Sequence, residues 1–325
     1  MDLRLTVPAT PVPDRSRPGA ERTVPAITTA PERDTAQMTD VYRDEAGRQS
    51  VREWCLAMLD GWALTHVRET LETSAGRTHT LSVGAGAPRV VFLPGTNFNA
   101  ATSLPLLAAL AARWPTLAVD LPGQPGLSDG NRPAGRERPA WYGRWLTEVL
   151  GQAATGPVVL VGHSLGAAVA LACDSPLVAG RVLLSPGGLT RLRVGSAVME
   201  ATIGWLLLPT AERSDRLLRL LSTPDQTPAP ELVDWMTLVA CSCRTSLAPP
   251  VLPAPVLASA AAQPLRLAVG AHDVFLPPGR LDRSVARLGA QLLTLPDAGH
   301  RLADERPEEV VKLVHEVYQE LTGQA

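Results

Sequence analysis

The apolar run Val158-Val159-Leu160-Val161 passes directly into Gly162-His163-Ser164-Leu165-Gly166, and from there into the alanine-rich stretch Ser164–Cys173. No other segment restricts the fold as strongly. A serine at the tip of a sharp strand-to-helix turn must hold a strained backbone. Glycines two residues before and after it are needed because side chains there would strike the neighbouring strand or helix. The pattern G-x-S-x-G alone arises by chance. With an apolar strand before it and a small-residue helix after it, it predicts an exposed Oγ above the carboxyl edge of a sheet, at the positive end of a helix.

The rest of the chain repeats the same alternation. Val90–Leu93, Leu117–Asp120 and Val182–Ser185 are further continuous apolar runs, with helical stretches at Ser103–Arg113 and Trp141–Leu150. Unbroken apolar strands alternating with helices indicate a parallel sheet buried on both faces. Upstream, Gln49–Leu59 has helical spacing, and Thr65–Thr73 and Thr78–Val83 read as two strands around the turn Ser74-Ala75-Gly76-Arg77. The rhythm breaks between Gly187 and Ala262, where helical segments (Ala197–Leu208, Glu212–Leu221, Glu231–Cys243) replace strands. It resumes at Leu265–Val269 and Gln291–Leu295 and ends in the helix Pro307–Leu321. The expected architecture is an α/β doubly wound, mostly parallel sheet interrupted by one helical insertion, and an insertion of that length is usually functional or separately packed. The expected divisions are a loose tail over 1–45, a core over 46–187 and 263–325, and the insertion over 188–262.

A serine nucleophile needs a base, and the base an orienting acid; in this kind of elbow the partners follow as acid, then histidine. Asp273 stands in Gly270-Ala271-His272-Asp273, beyond one late strand, and His300 in Pro296-Asp297-Ala298-Gly299-His300, beyond the last. All three residues fall on loops at the carboxyl edge, where such sheets bind ligands. Two backbone N–H donors are needed for an oxyanion. One is expected from Leu165, the other from Thr96 or Asn97 in the loop Pro94-Gly95-Thr96-Asn97.

Leu93-Pro94-Gly95, Asp120-Leu-Pro-Gly-Gln-Pro-Gly-Leu-Ser128, the Ser164 pentapeptide, Gly-x-His-Asp273 and Gly-His300 together resemble the α/β-hydrolase superfamily, in its bacterial carboxylesterase or lipase-like branch. The resemblance spans about Thr65 to Leu321. It implies that the insertion is a cap over the site, and that the chain cleaves a carboxylic ester of a small or medium lipophilic substrate through an acyl-enzyme, without metal or organic cofactor. A thioesterase, a C–C bond hydrolase, a perhydrolase and a lactone-forming tailoring enzyme share the same triad, and a non-catalytic hydrolase-like binding protein is the remote alternative. Two departures from the family pattern bear on the site's rim. Pro94 replaces the histidine common in members, and Gly123-Gln124-Pro125-Gly126 replaces a shorter glycine loop.

Several residues have plainer readings. Asp297 competes with Asp273 but lies in the histidine's own loop, where an Asx turn accounts for it. Asp120 is expected to end its strand and tie down the Gly/Pro loop, His163 to pack away from Oγ, and His272 to face solvent or pack in its loop. His66, His79 and His315 fit no site. Trp205, Trp235 and Met236 read as core of the insertion, and Arg191 and Arg193 as a solvated face. The net charge of −2, with Lys312 the only lysine, offers no footprint for nucleic acid or anionic lipid. No run approaches the roughly 18 apolar residues of a membrane span. Cys55, Cys173, Cys241 and Cys243 lack zinc-site spacing and read as free thiols. The first 39 residues lack hydrophobic periodicity and any secretory signal pattern, with Met38 an alternative start. A cytoplasmic protein acting on a small neutral carbonyl substrate is therefore expected, with no signal for its oligomeric state.

Overall fold

A computed structural model of the chain describes residues 38–133, 135–244 and 249–323. The elements are β1 (Met38–Asp40), α1 (Glu45–Asp60), β2 (His66–Thr73), β3 (Gly76–Val83), β4 (Val90–Leu93), α2 (Leu104–Ala111), β5 (Thr116–Val119), β6 (Asn131–Pro133), α3 (Arg138–Ala153), β7 (Val158–His163), α4 (Leu165–Ala172), β8 (Val178–Leu184), α5 (Ser196–Leu207), α6 (Ala211–Leu220), α7 (Pro230–Ser242), α8 (Ala254–Ala261), β9 (Leu265–Gly270), α9 (Pro278–Arg287), β10 (Leu292–Leu295), α10 (Leu302–Glu305) and α11 (Pro307–Thr322).

Eight strands form one sheet in the order β10-β9-β8-β7-β4-β5-β3-β2. From β10 to β5 every pair is parallel, while β3 runs antiparallel to both β5 and β2. Every residue of β4, β5 and β7 is buried. The pleat explains their unbroken apolar character. Val90 and Phe92 point into one core layer with α1, α2, α7 and α11. Val91 and Leu93 point into the other with α3, α4, α8 and α9. Strand order departs in both directions from β4, to β5 on one side and to β7 on the other. The crevice for a ligand opens at such a reversal, above the carboxyl ends of β4 and β7.

Between β8 and β9 the described residues form the helices α5 to α8 and no strand of the sheet. The expected sheet and helical insertion are therefore both present. Three features went unanticipated. The helix α8 has a single buried residue, Ala260, and so leaves no periodic trace. The helix α9 buries only Leu281 and Val285, too few apolar positions to stand out. The third is at the start. Residues 1–37 of the expected tail lie outside the described residues, but its boundary at 45 is too late. Met38–Asp40 pairs with Asn131–Pro133, Val41 and Tyr42 are buried, and the Tyr42 hydroxyl donates to the Gly126 carbonyl at 2.9 Å. One phenol seated in the Gly/Pro loop anchors this segment, a contact without periodicity to read.

The two glycines of the elbow are demanded sterically. A Cβ at Gly166 would lie 2.0 Å from the Leu93 carbonyl oxygen, and one at Gly162 would lie 2.5 Å from the Gly166 carbonyl oxygen. Both obstacles are backbone and cannot rotate away. Gly166→Ala is expected to destabilise the fold by roughly 3 kcal/mol, the upper part of the overpacking range. Thermal denaturation checks this, and a melting temperature within two or so degrees of wild type contradicts it.

Candidate active site

Ser164 joins β7 to α4 with φ 50° and ψ −106°, outside the broad basins open to residues with a side chain. Surrounding bonds hold it there. Its N–H donates to the Leu184 carbonyl at 2.9 Å, and its carbonyl accepts from Gly187 at 3.1 Å. The turn leaves Oγ 3.1 Å from Nε2 of His300. On the other edge of that imidazole, Nδ1 lies 2.9 Å from Oδ2 and 3.1 Å from Oδ1 of Asp273. Serine, histidine and aspartate thus meet from three loops, in the expected order. Asp297 stands apart: its exposed carboxylate is 3.7 Å from Arg306.

All three side chains are buried, so little water screens their interactions. Burial pushes the Asp273 carboxyl up, but His300 and the Leu276 N–H outweigh it and hold it below the usual carboxylate range. Asp273 Oδ1 also accepts from the N–H groups of Phe275 and Leu276, at 2.9 and 2.8 Å. Phe275 meets the His300 ring edge-on at 4.9 Å.

The main chain around His300 is clamped as well. Its N–H donates to the carbonyl of Leu221, at the end of α6, over 2.8 Å. Its carbonyl lies 2.7 Å from His163 Nε2. Desolvation, then the neighbouring His300, lowers the His163 pKa to about 3, so this ring is neutral. Facing a carbonyl, Nε2 must carry its proton and donate. His163 does pack, as expected, but it packs beneath the histidine loop and ties that loop to the elbow. The preceding N–H, of Gly299, donates to Glu305 Oε2 at 2.6 Å.

On the opposite rim, the loop after β4 holds Asn97 in the left-handed region at φ 65°. The Asn97 N–H donates to Gln124 Oε1 at 3.1 Å, and its carbonyl accepts from Trp235 Nε1 at 2.8 Å. The Thr96 N–H has no acceptor among the described residues. Leu165 opens α4, directly after Ser164. Gln124 comes from the departing Gly/Pro loop, and Trp235 from the insertion. Both hold the loop after β4, and neither is distinguished in the sequence from an ordinary polar or core residue.

Asp120 anchors this rim: Oδ1 accepts from Ala100 N–H at 2.8 Å, Oδ2 from Leu127 N–H at 3.0 Å, and His79 Nδ1 lies 3.2 Å away. Among the described residues no cluster of three His, Cys, Asp or Glu is arranged to hold a metal ion. No described helix is long and apolar enough to cross a membrane.

The family model described as "Alpha/beta hydrolase family" matches residues 90–313. An esterase of Mycobacterium tuberculosis is 36% identical over 140 residues, covering 42% of this chain and 46% of that protein. The match thus spans less than half of that relative. Among solved structures, the naproxen esterase of Bacillus subtilis superposes with a TM-score of 0.68 at 21% identity, covering 84% of this chain and 97% of that one. A carboxylesterase of the same organism gives 0.68 and 21%, covering 84% and 98%.

Proposed function

The chain belongs to the α/β hydrolase family, and from that premise we propose that it is a serine hydrolase that cleaves a carboxylic ester of a small or medium lipophilic molecule. The observation that carries this reading is one imidazole, buried between an ionised carboxylate at 2.9 Å and a serine hydroxyl at 3.1 Å. That pair of contacts lets His300 take a proton from Oγ while Asp273 holds the tautomer.

In the first half-reaction Ser164 Oγ bonds to the ester carbonyl carbon and its proton passes to His300 Nε2. The carbonyl electrons move onto oxygen, where the N–H groups of Leu165 and Thr96 receive them. We choose Thr96 over Asn97 because the Asn97 N–H is already given to Gln124. Collapse of the tetrahedral species breaks the ester C–O bond, and His300 returns its proton to the departing alcohol. Water then repeats the sequence on the acyl-enzyme, releasing the acid and restoring Ser164. In this reading residues 188–262 are a cap. Trp235 and Leu221 support it, since each hydrogen-bonds a loop of the site. The esterase named for the mycobacterial relative points to the same chemistry.

A fluorophosphonate probe and a matched pair of substrates test the proposal. We expect labelling of the folded wild type, none in Ser164→Ala, and strongly slowed labelling in His300→Ala. We expect p-nitrophenyl butyrate to be turned over faster than a butyryl thioester. Labelling indifferent to His300 removes the hydrolase reading, and a thioester preference replaces the ester.

A further inference from the structure

The helix α5 has an unusual surface. In twelve residues it carries one charge, Glu200. Its inner face, Val198, Ala201 and Trp205, is buried against the insertion. The outer face is also apolar: Met199, Ile203 and Leu207 follow at intervals of four and are 46%, 48% and 74% exposed. Val194, 46% exposed, precedes the helix, and Leu208, 58% exposed, follows it. A helix apolar all round normally lies wholly inside a protein or in lipid. Here one face is inside and the other is bare, so the bare face lacks its partner.

The surrounding charges indicate what that partner is. Two carboxylates on or beside α5 are paired with arginines. Glu200 pairs with Arg216 at 2.9 Å and Asp215 with Arg219 at 2.7 Å. Glu212, in the first turn of α6, makes no ion pair among the described residues. Three exposed arginines near the approach to α5 are not neutralised. Arg191 and Arg193 lead into the helix, and Arg280 reaches across to the Arg191 carbonyl at 3.3 Å. None of the three makes an ion pair among the described residues, and Asp282, the carboxylate nearest Arg280 in sequence, is not paired with them. The net charge of −2 had suggested no attraction to anionic lipid. Net charge averages over the whole chain, whereas a surface responds to the local field, within about 10 Å at moderate salt.

We propose that α5 and this arginine collar are a docking surface for an anionic lipid interface. The apolar face lies in the boundary between headgroups and acyl chains, parallel to the membrane, and the arginines meet phosphate oxygens. The helix lies on the interface and does not span it. Its neighbours α6 and α7 are the elements that touch His300 and Asn97, so docking sets the lipid beside the layer that covers the site.

Flotation of the full chain with phosphatidylcholine vesicles, with and without phosphatidylglycerol, tests this without reference to turnover. It is read equally well in Ser164→Ala protein, which separates it from the hydrolase reading. We expect binding to the phosphatidylglycerol vesicles that weakens with salt. Ile203→Asp with Leu207→Asp is expected to lower the bound fraction about tenfold or more, since two charges replace the inserted side chains. Arg191→Ala, Arg193→Ala and Arg280→Ala together are expected to remove the preference for the anionic vesicles. Unchanged melting temperatures establish that the variants fold. Absence of binding to anionic vesicles overturns the proposal, as does binding that survives the paired aspartates. So does a wild-type dimer in solution that those aspartates split, for then a second copy covers the face.

Discussion

Ser164→Ala is expected to lower kcat by about 10⁵ to 10⁶ on any ester the wild type accepts, the loss associated with removing one member of a triad that acts as a unit. In the proposed mechanism the residual rate comes from the N–H groups of Leu165 and Thr96, which the substitution leaves in place. The melting temperature should barely move, because Oγ is the only atom removed and the bonds to Leu184 and Gly187 are made by backbone. Ser164→Gly separates chemistry from strain. It is equally inactive, but a glycine holds φ 50° without opposition from a Cβ. We expect it to be more stable than wild type by about 1–2 kcal/mol, the usual strain at such a site. Differential scanning calorimetry on the two variants, beside kcat from p-nitrophenyl esters, gives both answers. Substantial turnover in Ser164→Ala sinks the nucleophile. Equal melting temperatures in the two variants sink the account of the elbow as a strained turn.

That elbow was legible in the sequence because its requirements are local. A buried strand, two obligatory glycines and a helix of small residues lie in adjacent positions. The partners Asp273 and His300 were legible for a related reason: each follows directly on a recognisable strand, and strand ends are where a parallel sheet gathers its ligands. What holds these residues was not legible. Trp235 reaches Asn97 across 138 positions, and His163 reaches the His300 carbonyl across 137. A buried tryptophan in the insertion has the same sequence signature whether its Nε1 meets a helix carbonyl, as Trp205 does at Met236, or the loop after β4. Likewise Thr96 and Asn97 are equivalent candidates until Gln124 is seen to take the Asn97 N–H. Positions along the chain determined which groups gather; side-chain directions determined which of them stay free to act.

Asp273→Asn is expected to reduce kcat by about 10⁴ while the fold is kept, and the bonding around the carboxylate explains both halves. Oδ1 accepts from two backbone N–H groups, of Phe275 and Leu276. An asparagine must therefore keep its carbonyl oxygen at Oδ1 and place its NH₂ where Oδ2 stood, 2.9 Å from His300 Nδ1. A donor there requires Nδ1 to be an acceptor, which moves the ring proton to Nε2. Nε2 then confronts the Ser164 hydroxyl with a proton of its own and cannot remove one. The two main-chain bonds persist, so the loop stays in place and the melting temperature near neutral pH changes by only a few degrees. The acid limb gives a second readout. In the native state the Asp273 carboxyl is held below the usual carboxylate range despite burial. Its contribution to stability is then complete above about pH 4 and is lost as pH falls through the lower native value. The asparagine variant has no such group, so its melting temperature should decline less steeply than wild type below pH 4. Steady-state kinetics and melting curves from pH 7 down to pH 3 check the pair. Near-normal turnover in Asp273→Asn assigns the orienting role to another acid, and an unchanged acid limb removes the ionised, stabilising carboxylate from the account.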